Sequence, residues 1–283
     1  MHRNTAAGPL YSPAMCLILV AWRVHPQYPC VVAANRDEFF GRPAAEADWW
    51  PQPSTIMAGR DLLAGGTWLG VTRAGRFAAL TNFRDPLRSS AARPVSRGTL
   101  VTDFLEAAWP TAAGLNELAR RGTHCNPFNV LCSDGQTLGI FESTTGIARV
   151  LEPGIYALSN HLLDTPWPKV TEAKSRLGEA LAELPASAAM LDLLRAAEPA
   201  ADEELPRTGV SLEMERMLSS AFITGEHYGT RCSTIVTFAV DGAVSFGEWT
   251  WDTTGALTGM ARFHFNTAQS PKALAKGLPR GLR

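Results

Sequence analysis

The sequence predicts an α+β protein in which antiparallel sheets are covered by segregated helices. Three observations carry this. Short apolar runs are closed by tight-turn pairs such as Asp134-Gly135, Thr145-Gly146 and Asp241-Gly242. Helical periodicity is confined to two blocks, 99–121 and 168–222. The resulting order is strands, helices, strands, helices, strands, which excludes a simple doubly wound βαβ chain.

Taken in order, Leu17–Trp22 and Cys30–Ala34 are apolar runs separated by Pro26 and Pro29, as expected of two central strands. A loop rich in tryptophan and proline follows (Trp49, Trp50, Pro51, Pro53). Thr67–Thr72 and Arg76–Asn82 flank Gly75 as a hairpin. The first helical block places Leu100, Phe104, Leu105, Leu115 and Leu118 on one face, with Pro110 and Gly114 as breaks. Residues 128–160 alternate as strands between turns. The second block is helical throughout, interrupted by Pro185, Pro199 and Pro206. Strands follow at 233–240, 243–249 and 259–265. Residues 1–14 read as a disordered extension or an over-long start, residues 15–270 as one domain, and 271–283 as a flexible tail.

A net charge of -1 supplies no basic field for nucleic acid or anionic lipid. No apolar run reaches the length of a membrane span, and the first residues make a poor secretory signal. The five cysteines are scattered without zinc spacing, as expected of reduced thiols in a cytoplasmic protein.

The chemistry concentrates near the start. Cys16 at the head of an apolar strand reads as a nucleophile whose own α-amine, once terminal, is the base; the other reading, the commoner fate of a free cysteine, is a small core hydrophobe. Asn35-Arg36-Asp37-Glu38 crowds an amide, a guanidinium and two carboxylates behind an apolar run. Arg36 and Asp37 lie side by side only if the strand ends near Asn35, since alternation otherwise sends them to opposite faces. Asp37 would then hold the α-ammonium, and Arg36 would lower the thiol pKa or grip a carboxylate. A surface turn is the other reading. Asn82 and Asn160 close strands, as turn formers or as donors to an oxyanion. Arg231 stands at the mouth of a strand, as a second cation facing the pocket or as a surface residue. His161 and His227 fall near these segments, as metal or haem ligands or as ordinary polar residues.

Met15-Cys16, Ala34–Phe39, Gly66-Thr67-Trp68-Leu69-Gly70, Leu80–Arg84, Leu158-Ser159-Asn160 and Tyr228–Thr234 occur in that order. Together they resemble the NRDE family, that of the transport and Golgi organization protein 2, from Met15 to about Phe265. The resemblance implies an N-terminal-nucleophile hydrolase fold, a four-layer αββα sandwich of two antiparallel sheets. It implies Cys16 as nucleophile, Arg36 and Asp37 as its charged neighbours, Asn82 and Asn160 as oxyanion and amine-positioning groups, and Arg231 as the distal arginine. Asn35, Glu38, Thr67 and Trp68 are the expected substrate-binding residues. The expected activity is hydrolysis of a small C–N amide through a cysteinyl acyl-enzyme, with no cofactor required. The family's association with lipid and haem trafficking implies a competing reading, a carrier of haem or an acylated ligand in a pocket lined by Trp49, Trp50 and Trp68. A scaffold that has lost its task ranks third. Partners are a small-molecule amide, acyl or haem ligand; the oligomeric state is left open.

Overall fold

Apolar residues on both faces of a strand demand cover on both sides, and the first strand meets this condition. In the computed structural model, which describes residues 15–52, 54–84 and 95–267, β1 (Cys16–Trp22) pairs antiparallel with β2 (Cys30–Phe39), Cys16 opposite Arg36. Ile18, Val20 and Trp22 face one way and Leu17, Leu19 and Ala21 the other, and all six are buried.

The remaining strands are β3 (Ala44–Trp49), β4 (Ile56–Asp61), β5 (Leu69–Thr72), β6 (Phe77–Asn82), β7 (Phe128–Ser133), β8 (Leu138–Glu142), β9 (Ile147–Leu151), β10 (Gly154–Leu158), β11 (Tyr228–Phe238), β12 (Ala243–Trp251) and β13 (Leu257–Asn266). Among the described residues they form two antiparallel sheets, ordered β10-β1-β2-β11-β12-β13 and β3-β4-β5-β6-β7-β8-β9. Of the two strands expected at the centre, β2 is central and β1 is interior, one strand in from the β10 edge. The helices are α1 (Arg97–Glu106), α2 (Thr111–Gly122), α3 (Pro168–Ala180), α4 (Ala188–Leu194) and α5 (Leu212–Ser219).

Three apolar layers hold these elements. One joins α3, α4 and α5 to the first sheet through Leu17, Leu19, Leu177 and Leu193. A second lies between the sheets around Val20, Phe77 and Phe246. A third joins α1 and α2 to the outer face of the second sheet through Phe104, Leu115 and Phe128. The layer order is αββα.

The structure corrects four expectations. β2 runs on to Phe39 because β11 continues to pair with it, so it does not end near Asn35. The tryptophan-rich stretch is the join of a hairpin, β3 to β4. β3 buries only Ala47 and slips register between Ala45 and Asp48, so it has no apolar alternation to read. Gly114 does not break a helix; α2 passes through it. The second helical block is three helices and two single turns of 3₁₀ helix (181–183 and 202–204) joined by irregular chain. The expected extension at 1–14, the tail at 271–283 and Pro53 lie outside the described residues. Among the described residues no helix is long and apolar enough to cross a membrane.

Candidate active site

A cleft of about 220 Å³ opens between the two sheets where β1 begins, β2 ends and α1 starts. Its lining includes Cys16, Arg36, Asp37, Glu38, Thr67, Trp68, Asn82 and Arg231. Eight of the ten expected site residues that scatter from 16 to 231 in sequence thus meet at one place. α1 comes this close because Gly66 and Gly98 are both glycine: a Cβ on Gly66 would fall 2.5 Å from the Gly98 carbonyl carbon.

Cys16 is the first residue of β1 and is 7% exposed. Its side chain shares the inter-sheet face with Ile18 and Val20. Its backbone N–H donates to Asn160 Oδ1 at 2.9 Å, and its carbonyl accepts from the Ser159 hydroxyl at 2.9 Å. Asn160 Nδ2 donates in turn to the Asn82 carbonyl at 2.8 Å. One buried carboxamide therefore ties the start of β1 to the end of β6. The Met15 N–H donates to the Tyr228 hydroxyl at 2.5 Å.

The thiol is not activated in the chain that retains Met15. Burial pushes Cys16 up to about 12, the Asp37 charge adds to the rise, and the Asp37 backbone N–H opposes it. Arg36 also opposes it, but less.

Strand alternation through β2 separates its polar run. Arg36 and Glu38 face the cleft together, 3.7 Å apart. The Asp37 carboxylate is on the opposite face: Oδ1 accepts from the Thr230 hydroxyl at 2.7 Å, and Oδ2 is buried without a hydrogen-bond partner among the described residues. Burial raises the Asp37 pKa, against the field of Lys169 on α3, whose own pKa burial lowers. Asn35 does not reach the cleft, which corrects its expected role in substrate binding. It is fully buried on the helical side, where Nδ2 donates to the Leu194 and Ala221 carbonyls at 2.7 Å and Oδ1 accepts from Ser233 at 2.6 Å. Asn160 likewise stands behind the cleft, on the Cys16 nitrogen.

Arg231 sits at the bulge between Thr230 and Cys232 in β11. Its Nη1 donates to the Phe39 and Arg42 carbonyls at 3.0 and 2.9 Å, clamping the end of β2. The Thr67 hydroxyl donates to the Leu69 carbonyl at 3.0 Å. Of the three tryptophans expected around an apolar pocket, Trp68 alone lines the cleft. Trp49 packs on Phe265 with Arg73 over its ring, and Trp50 donates to the Ala58 carbonyl at 3.1 Å. His161 pairs Nδ1 with Thr165 at 2.8 Å and packs against Phe83 and Trp167, and His227 is exposed beside Glu226. Neither lines the cleft.

Sequence reading missed Arg97 and Lys169. Arg97 had a signal, since a cation in the first turn of a helix runs against the helix dipole. Lys169 had none: it follows Pro168 at a helix start, where lysine is ordinarily exposed.

These elements define an α+β protein, an αββα sandwich of two antiparallel sheets with a buried cysteine opening an interior strand at the cleft. The sequence model of the family Transport and Golgi organisation 2 matches residues 15–253, and the chain belongs to that family. It is 35% identical over 259 residues to the Transport and Golgi organization protein 2 homolog of Bos taurus, covering 83% of this chain and 92% of that protein. With the Drosophila melanogaster protein it is 27% identical over 266 residues, at the same coverage. Among solved structures, it is similar to a Caenorhabditis elegans ortholog of N-acylethanolamine-hydrolyzing acid amidase (TM-score 0.45, 12% identity, 78% of this chain and 92% of that one). It is also similar to a conjugated bile acid hydrolase of Clostridium perfringens (TM-score 0.39, 10% identity, 90% and 97%).

Proposed function

We propose that the protein is an amidohydrolase that acts on small C–N amides through Cys16, once Cys16 is the first residue. The observation that carries this is the Asn160 carboxamide oxygen 2.9 Å from the Cys16 nitrogen, at a cleft onto which the same residue turns its thiol. A free α-amine at that nitrogen keeps the Asn160 bond and gains a charge that the field of Asp37, whose buried Oδ2 has no hydrogen-bond partner among the described residues, favours. Its ordinary pKa, about 7.7 to 8.0, suits a base at neutral pH.

The steps balance. The amine takes the Cys16 proton as sulfur attacks the carbonyl carbon. The resulting oxyanion is held by the Asn82 side-chain amide, because Asn160 Nδ2 is already committed to the Asn82 carbonyl. The C–N bond then breaks, and the ammonium returns the proton to the leaving amine. Water, deprotonated by the amine, cleaves the thioester and restores the thiol.

The test compares two chains, one retaining Met15 and one released from a fusion so that Cys16 is first. With Met15 in place the thiol is almost wholly protonated at pH 7.5, so iodoacetamide labels it slowly, with a rate that climbs roughly tenfold per pH unit. The chain beginning at Cys16 is expected to label at least about tenfold faster at pH 7.5, with a rate that levels off above the amine pKa. Equal rates in the two chains would remove the base from the mechanism. The carrier of haem or an acylated ligand stays second: charged side chains crowd the cleft, and of the groups expected to line its pocket or ligate iron, Trp68 and Cys16 are at the cleft while Trp49, Trp50 and His161 lie elsewhere.

A further inference from the structure

The cleft holds more guanidinium than carboxylate once committed charges are set aside. Arg42 is bound to Asp61 at 2.7 Å. Glu248 accepts from the Ala47 N–H at 2.7 Å, and burial favours its neutral form. Glu46 is exposed at the rim, and the Asp37 carboxylate faces away toward Thr230. Arg60 is exposed at the rim too, where its Nε donates to the Gly65 carbonyl at 3.2 Å. Glu38 remains, against Arg36, Arg97 and Arg231.

None of these three guanidiniums is saturated by Glu38. The Arg36–Glu38 separation of 3.7 Å is beyond hydrogen-bond reach, although the Arg36 side chain is only 12% exposed. Arg97 donates Nη1 to the Pro127 carbonyl at 3.2 Å and makes no salt bridge among the described residues. Arg231 spends Nη1 on two carbonyls, leaving Nε and Nη2. Arg97 is also the first residue of α1, so its charge adds to the positive end of that helix. Desolvated like charges gathered beside a nucleophile are costly unless an anion joins them.

We propose that Arg36, Arg97 and Arg231 form a subsite for an oxyanion carried by the substrate, a carboxylate or a phosphate, beside the bond that Cys16 attacks. Resting on the hydrolase reading, this narrows the substrate class to acidic amides, in which the acyl or the amine half bears the anion. A planar guanidinium fork suits either anion, and a neutral amide of the same size leaves the three charges unpaired.

Alkylation of Cys16 reads the subsite without knowledge of the substrate, because iodoacetate carries a carboxylate and iodoacetamide does not. In the chain beginning at Cys16, the iodoacetate-to-iodoacetamide rate ratio is expected to exceed that of free cysteine in the same buffer by about tenfold or more. The excess should saturate with iodoacetate and fall with added salt. Succinate and inorganic phosphate are the competitors, and the stronger one identifies the preferred anion. Arg97→Gln should lower the ratio at least about threefold, the iodoacetamide rate of the same variant serving as its reference, and Arg97→Lys should keep part of it. Brisk iodoacetamide labelling with the ratio of free cysteine would overturn the subsite and leave the hydrolase reading standing. If neither reagent labels Cys16, the hydrolase reading fails and thermal unfolding decides the subsite. A Tm rise with millimolar phosphate or succinate that is lost in Arg97→Gln supports it, and no difference between the two proteins overturns it.

Discussion

Asp37 and Lys169 are two buried opposite charges, each with a polar atom, Oδ2 and Nζ, that has no hydrogen-bond partner among the described residues. Desolvation raises the Asp37 pKa and lowers that of Lys169, and each charge moderates the other's shift. The sign for stability follows from proton counting. A carboxyl raised in the folded state binds its proton more tightly there than in the unfolded chain. Its ionisation therefore costs stability as pH rises from the ordinary carboxylate value, about 3.9, through the raised one. Asp37→Asn keeps an acceptor for Thr230 and removes this titration. The stability of Asp37→Asn relative to the parent is expected to increase from pH 4 toward neutrality, by at most about 1.4 kcal/mol per unit, in urea titrations at each pH. A difference constant over that range would show that Asp37 is ionised throughout. At this scale the sequence exposed the reactive residue types and concealed their partners. Cys16, Arg36, Asp37 and Asn160 stood out because polar groups at the ends of apolar strands are costly. Nothing local showed that β2 continues past Asn35, so nothing separated the inward-facing Asn35 from the cleft-facing Arg36.

Helix α2 packs so close to α1 that a hydrogen is the only side chain Gly114 can carry. A Cβ there would fall 2.5 Å from the Phe104 ring, whereas one on the exposed Gly178 of α3 would meet Ile155 Cδ1 at 3.4 Å, an ordinary contact. The same substitution should thus have opposite signs in the two helices. Gly178→Ala is expected to stabilise by about 0.5–1 kcal/mol through helix propensity. Gly114→Ala gains the same propensity and loses about 1–3 kcal/mol to the displaced ring, for a net destabilisation. Chemical denaturation of the two variants measures both, and a stabilised Gly114→Ala would show that Phe104 has another place to go. The contrast explains why Gly114 misleads a sequence reading: its position suits a helix break, and the reason for it is a ring from another helix. Elements with strong internal patterning, β1 and the hairpins around Asp134-Gly135 and Asp241-Gly242, were legible because each is set by its own residues. β3 was not, since its pairing rests on β4 and on the Glu248 carboxylate that accepts its Ala47 N–H.

The whole molecule is three apolar layers divided by two sheets, and each strand of the inner pairs contributes alternate residues to two of them. Such sharing couples the layers, because no layer can loosen without exposing the far face of its strands. Phe246 lies between the sheets at 1% exposure and Phe104, on the inner side of α1, is at 0%, in different layers. Truncation of either to alanine is expected to cost about 3–5 kcal/mol, from lost burial plus the cavity left behind. If the layers are coupled, both variants should unfold in one transition, with tryptophan fluorescence and far-UV circular dichroism changing together at a lower denaturant midpoint. Their free-energy losses should add, since the two rings share no layer. Should Phe104→Ala instead separate the two signals, α1 and α2 would be leaving the second sheet while the sandwich stays intact. That outcome would bear on the cleft directly, because α1 carries Arg97 to it. The rigidity of an outer layer would then set the geometry of the charges beside Cys16.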